Sequence, residues 1–209
     1  MSIKIGVQFN VKQVQDQVGR LKADLQDKVI AQALGKTAEK ARAEMTRQIT
    51  REFAIKAKDV RPSIYIDRPR MGKVSMITIK AFPSKKGKRS RNVMLFGARP
   101  APGSEKRRVK VKLPDGRWVM RVVSVGGGVS VKIRKGESRK VIKGAFIGNK
   151  GRTVFMREGD GRLPIKGVQT IDVPQMFNTK RINEAVVRKI LQDFPRELNR
   201  LVAYRLSKL

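Results

Sequence analysis

Residues 143–159 read KGAFIGNKGRTVFMREG, two apolar runs, Ala145-Phe146-Ile147 and Val154-Phe155-Met156, on either side of Gly148-Asn149-Lys150-Gly151. Glycines beside a lysine invite a phosphate loop, whereas apolar runs around a turn invite a β-hairpin. A phosphate loop of the G-x-x-x-x-G-K-[ST] type sits between a strand and a helix, where backbone amides and the lysine converge on phosphate. Here the spacing and the Ser/Thr are missing, the stretch does not match G-x-G-x-x-G, and strand-like residues follow it. Two strands and a turn are the better reading.

The period of two extends on both sides of this hairpin. It predicts strands at 74–82, 107–113, 117–124, 129–134, 141–147 and 152–157. Pro114-Asp115-Gly116 is a turn signal between two of them, and Gly126-Gly127-Gly128 separates the next pair. Short connections of this kind make a meander. Residues 83–106 are the exception, because Ser84-Lys85-Lys86-Gly87-Lys88-Arg89-Ser90-Arg91 and Arg99-Pro100-Ala101-Pro102-Gly103-Ser104 read as a mobile basic loop.

Helices flank the strands. Ile3, Ile5, Val7 and Phe9 alternate as in a strand, and Asn10-x-x-Gln13 then opens a capping box. Val11, Val14, Val18, Leu21 and Leu25 begin a helical stripe that continues through Ile30, Leu34, Ala38, Ala41, Met45, Ile49 and Phe53. Gly19 and Gly35 are the points where it should break. Residues 54–70 read as a short helix stopped by Pro62 and an extended crossing. At the C-terminal end, Phe177, Asn178 and Ile182 fit a capped start, and Ile182, Val186, Ile190, Phe194, Leu198 and Leu201 form an apolar face. Pro195 inside that face must kink the helix or begin a new one. Lys180 and Arg181 put cations in the first turn against the helix dipole; either the effect is small and screened or an anionic partner lies there, and screening is the better reading.

The expected fold is therefore α+β: a long N-terminal amphipathic helix, an antiparallel β-meander making a small sandwich or barrel-like sheet, and a kinked C-terminal helix. The expected division is 1–70 for the N-terminal strand and helical arm, 71–172 for a basic β domain, and 173–209 for a C-terminal helix packed on the sheet, all in one compact domain.

Charge narrows the function. The chain of 209 residues carries 49 Lys+Arg against 17 Asp+Glu, a net charge of +32. Residues 68–157 hold 26 of the bases and only three acids, Glu105, Asp115 and Glu137. Such density repels itself unless phosphates or acidic protein surfaces neutralise it. Lys85, Lys86, Lys88, Arg89, Arg91, Lys106, Arg107, Arg108, Lys110 and Lys112 are the candidate contacts to DNA or to an acidic partner. Aromatic residues do not interleave with these bases as stacking platforms would require, so DNA contact would run through the backbone without reading sequence.

Catalysis finds no support. Cysteine and histidine are both absent, which removes thiol nucleophiles, His-based triads and ordinary zinc sites. Glu158 and Asp160 alternate with Gly159 and Gly161 in a turn, and a metal role for them is much weaker than plain turn chemistry. No catalytic residue, cofactor or metal is expected. No apolar run approaches the roughly 20 residues of a membrane helix, and no signal-peptide core is visible, so a soluble cytosolic protein is expected.

Order and spacing in the last third carry a resemblance. Gly144-Ala145-Phe146-Ile147, Gly151-Arg152-x-Val154-x-Met156-Arg157, Arg162-Leu163-Pro164-Ile165, Val173-Pro174 and Phe194-Pro195-Arg196-Glu197-Leu198 resemble the minor tail protein Z family of long-tailed bacteriophages and prophages, of the phage lambda type. The resemblance implies a virion part, assembled in the host cytoplasm, that completes the tail at its head-proximal end. Its implied partners are other neck and tail proteins (tail terminator, connector and tube), with a homo-oligomeric ring, passing contact with genomic DNA and no membrane. It implies no enzymatic activity. Phe146, Ile147, Val154, Met156, Pro164 and Ile165 are the expected packing residues of the family pattern. Charge alone supports an alternative, a non-sequence-specific architectural nucleic-acid-binding protein.

Overall fold

A computed structural model describes residues 3–5, 14, 16, 18, 19, 21, 23–67, 77–82, 91–101, 105–125, 127–159 and 163–208. It is a mixed helix and strand fold with a long N-terminal helix, antiparallel sheets and a C-terminal helix. The chain divides into two compact units. The first comprises 1–51, 56–89 and 171–209, and the second 52–55 and 90–170.

The first unit is built on two long helices. Helix α1 (Ala23–Glu52) is shorter than the stripe over 11–53 suggested. Val14, Asp16 and Val18 have helical backbone, but Gly19 lies in a turn, and Leu21 N–H donates to the Val18 carbonyl at 2.9 Å. Glycine's backbone freedom makes that the weak point of the stripe. Gly35 lies within α1 without interrupting it, because neighbouring alanines and tertiary packing offset its cost of about 1 kcal/mol. The most buried line of α1 is Val29, Ala33, Ala41, Met45 and Ile49, while Ile30 and Leu34 are half-buried beside the core. Thr37 is buried too and donates its hydroxyl to the Ala33 carbonyl at 2.8 Å, so its polar atom costs little.

The second long helix is α4 (Lys180–Leu206), and it meets α1 through side chains. Phe194, Leu198, Leu201 and Val202 of α4 share one core cluster with Val18, Leu21, Val29 and Ala33. Helix α4 continues through Pro195 as a single helix; the missing N–H forgoes one backbone bond there. The short α2 (Ala57–Val60) runs into a 3-10 turn at Pro62. An antiparallel sheet follows, in the order β1 (Ile3–Ile5), β3 (Thr78–Ala81), β2 (Ile64–Asp67). Ile64 pairs with Ala81 and Ile66 with Ile79, and all four are buried, while Tyr65 and Asp67 face out. The strand expected over 3–9 is described only at 3–5, and of the one expected over 74–82 the described part is strand at 78–81.

The capped helix start differs from expectation. Asp172, not Asn178, is the capping residue: its Oδ1 accepts from Gln175 N–H at 2.9 Å, and Gln175 Oε1 accepts from Asp172 N–H at 3.0 Å. This box opens a separate short helix, α3 (Val173–Phe177), with Pro174 in its first turn. Thr179 precedes α4 without a side-chain cap. The exposed Glu184 lies 4.0 Å from Lys180, a local counter-charge for the cations of the first turn.

The second unit consists of small antiparallel sheets. Strands β6 (Glu105–Lys112) and β7 (Trp118–Val125) form a two-stranded ribbon. Its end is a turn in which Gly116 N–H donates to the Leu113 carbonyl at 2.9 Å, with Gly116 at φ 86°. Strands β5 (Arg99–Pro100), β8 (Val129–Val131) and β9 (Lys140–Ile142) make a second sheet, and β4 (Arg91–Asn92) pairs with β13 (Gln169–Thr170). The third sheet is β10 (Ala145–Gly148), β11 (Thr153–Arg157) and β12 (Ile165–Gly167). The strand expected over 141–147 is two strands, because Lys143-Gly144 turns with Gly144 at φ 72°.

Part of the loop expected at 83–106 is ordered structure. Val93–Phe96 forms a 3-10 turn between β4 and β5, capped by Asn92 and closed by Gly97 at φ 63°. Val93 and Phe96 are buried, which anchors the segment despite its basic neighbours. Residues 83–90 and 102–104 lie outside the described residues.

Candidate functional site

The opening stretch is a hairpin. Phe146 pairs with Phe155, Ile147 with Val154 and Gly148 with Thr153. Gly151 N–H donates to the Gly148 carbonyl at 3.1 Å, and the residues between them, Asn149 and Lys150, have φ of 51° and 53°. Positive φ at both central positions is the turn whose twist matches a hairpin. The loop is also tied down from outside, since Asn92 Nδ2 donates to the Arg152 carbonyl at 2.7 Å. Lys150 is therefore a turn residue at a hairpin tip.

The six expected packing residues divide. Val154 is fully buried, and Phe146 and Ile147 are half-buried. Met156, Pro164 and Ile165 are exposed. The strand period explains Met156: it shares a face with Val154, but that face runs out of core towards the strand end, where Met156 pairs with Lys166. On the opposite face the Phe146 and Phe155 rings lie 5.9 Å apart, and the Arg157 guanidinium sits 5.3 Å from the Phe146 ring.

The basic candidates are split between the two units. Lys85, Lys86, Lys88 and Arg89 fall in the first unit's chain segment, outside the described residues. Arg91, Lys106, Arg107, Arg108, Lys110 and Lys112 belong to the second unit. By unit, the first holds 29 bases and 11 acids, and the second 20 bases and six acids. Both are strongly cationic. Within the ribbon, Arg108 and Lys110 are exposed and stand opposite Val122 and Met120. Two of the three central acids are already engaged. Asp115 accepts from Arg117 Nε at 2.9 Å and from Arg117 N–H at 3.0 Å, and these bonds hold its carboxyl below the ordinary aspartate value. Glu137 lies 3.6 Å from Lys140 and 3.9 Å from Arg134.

Sequence reasoning missed three groups. Trp118, Met120 and Val122 are exposed at alternate positions of β7; their spacing was visible, but period alone does not say which face is covered. Arg139 ties a loop to a strand: Nε donates to Ser130 Oγ at 2.7 Å, and Nη2 to the Gly97 and Ser130 carbonyls at 2.6 and 2.8 Å. Partial burial, then neighbouring Arg99, lower its pKa from the ordinary arginine value. The third group joins α1 to α4. Lys40 Nζ lies 2.6 Å from Glu197 Oε1, while Arg200 donates to Oε2 from Nε at 3.1 Å and from Nη2 at 3.0 Å.

That last group explains the step Phe194-Pro195-Arg196-Glu197-Leu198. Phe194 and Leu198 are buried in the helix–helix core, and Glu197 is the carboxylate that clamps α1. Across the chain, prophage minor tail protein Z (GPZ) matches residues 10–209. The chain belongs to this family. It is a structural protein of the phage tail, placed in the virion and associated with other tail proteins. Comparison with curated proteins and with solved structures gives no match. Among the described residues, no group of three or more His, Cys, Asp or Glu could hold a metal ion, and no helix is long and apolar enough to cross a membrane. Glu158, of the acidic turn, lies 3.7 Å from Lys166, while Asp160 is outside the described residues.

Proposed function

We propose that this tail protein is a tail-completion or neck component, acting at the head-proximal end of the tail in head–tail joining and DNA passage. Family membership over residues 10–209 carries the reading. The charge of +32 supports it, because a protein so basic needs acidic neighbours or DNA close by in its working state. It works without chemistry, as one ring of copies between terminator, connector and tube. Assembly takes place in the host cytoplasm, and the basic residues face DNA in transit or acidic tail partners.

Labelling the protein in intact particles, followed by electron microscopy of the neck, tests the placement. Signal confined to the head-proximal end is the expected result. Signal along the whole tube or at the distal tip refutes it. The competing reading, a sequence-blind architectural nucleic-acid binder, draws on charge alone. It requires duplex binding whose log affinity falls steeply with log salt, and negligible binding at roughly 50 mM salt removes it.

A further inference from the structure

The β6–β7 ribbon carries, beside its cations, an apolar row that the proposed placement leaves without a role. Among the described residues no third strand joins it, and a two-stranded hairpin alone is marginal in water. On one side of the ribbon, Arg108 stands opposite Val122 and Lys110 opposite Met120, with Trp118 two residues before Met120. All five side chains are exposed, and Trp118, Met120 and Val122 keep 58, 61 and 62% of their surface. Lys110 Nζ lies 6.0 Å from the centre of the Trp118 ring. A row of three large apolar groups is thus bordered by a row of cations.

We infer that this ribbon face docks on an acidic protein surface of the tail, one with an apolar centre flanked by carboxylates. Charge selects the partner's sign. A second copy brings the same excess, 20 bases to six acids in this unit alone, and would set cation against cation. The ribbon's own turn acid cannot serve as counter-charge, because Asp115 is held by Arg117. Duplex DNA would satisfy Arg108 and Lys110 but leave the Trp118–Met120–Val122 row against a charged backbone. An acidic protein face satisfies both rows at once, and Trp, Met and Arg are the residues enriched in protein interfaces. Among the described residues both outer edges of the ribbon are unpaired, and an added strand from the partner would relieve its two-strand marginality.

The inference rests on the assignment to the tail, and the test separates the two. A benzoyl-phenylalanine photo-crosslinker replaces Met120, and purified tails containing that protein are irradiated and the adducts identified by mass spectrometry. An adduct with a different, acidic tail protein is expected. An adduct with a second copy or with DNA, or no adduct in tails that contain the protein, overturns the inference. In parallel, Trp118→Ser/Met120→Ser/Val122→Thr and Arg108→Glu/Lys110→Glu are added to tails lacking the protein. Each should incorporate about tenfold less than wild type with an unchanged circular dichroism spectrum. The apolar variant should still bind random-sequence duplex as wild type does. Wild-type incorporation of the apolar variant overturns the ribbon's role alone. Absence of the wild-type protein from tails overturns the tail assignment and the inference with it.

Discussion

Lys40→Met is the most informative perturbation of the fold. Lys40 reaches from α1 to Glu197 on α4 at 2.6 Å, with the Glu197 side chain 10% exposed and that of Lys40 47%. Methionine keeps the apolar stem and removes only the ammonium. A hydrogen bond to a charged group contributes about 1.5–3 kcal/mol net, and stranding a buried charge would cost about 3–5 kcal/mol. Arg200 still holds the other carboxylate oxygen at 3.0 Å, so Glu197 is not stranded. Lys40 is also half in water, which screens the pair. The expected loss is therefore about 1–2 kcal/mol, or a fall in Tm of about 2–8 °C for a protein of this size. Acid gives a second, sharper readout. The hydrogen bond from Lys40, set against burial and helped by Arg200, holds the Glu197 carboxyl below the ordinary glutamate value. A group with a depressed folded pKa contributes stability above its unfolded pKa, and that contribution is lost as pH falls through the folded value. The gap between wild type and Lys40→Met should accordingly be full at about pH 7 and shrink towards about pH 3. Thermal melts followed at the helical dichroism band would measure both. A drop in Tm below about 1 °C at neutral pH, or a drop of equal size in acid, would refute the clamp.

Three further substitutions test the second unit. Gly128→Ala should destabilise by several kcal/mol, because Gly128 has φ 83° and an added Cβ would sit 2.3 Å from the Ile142 carbonyl oxygen; Gly136→Ala, with open space at that point, should stay within about 0.5 kcal/mol in the same urea titration. Lys150→Gly should stabilise by about 0.5–1 kcal/mol, since it relieves the φ of 53° at the hairpin tip; a loss of stability in that titration would contradict the turn geometry.

The sequence alone determined the elements whose signal is local. The hairpin at 143–159 follows from apolar runs flanking residues that tolerate positive φ, and the ribbon turn from Pro114-Asp115-Gly116. The break at Gly19, the apolar face of α4 and the family pattern are likewise written in neighbouring residues. The same locality accounts for the misses. Val93-Met94-Leu95-Phe96 was hidden in a basic tract, because charge dominates composition while two buried side chains suffice to anchor a turn. The box Asp172–Gln175 has the required spacing, but Asn178 offered a rival cap, and only the observed hydrogen bonds separate them. Tertiary structure alone decided which face of each periodic segment is covered. Val154 and Met156 have the same period and opposite fates, and the row Trp118, Met120 and Val122 would read as core in any alternating strand. It also paired Lys40 with Glu197 across 157 positions of chain. Period records that a face is apolar, whereas what covers it, and which distant charge reaches it, depends on packing between segments remote in the chain.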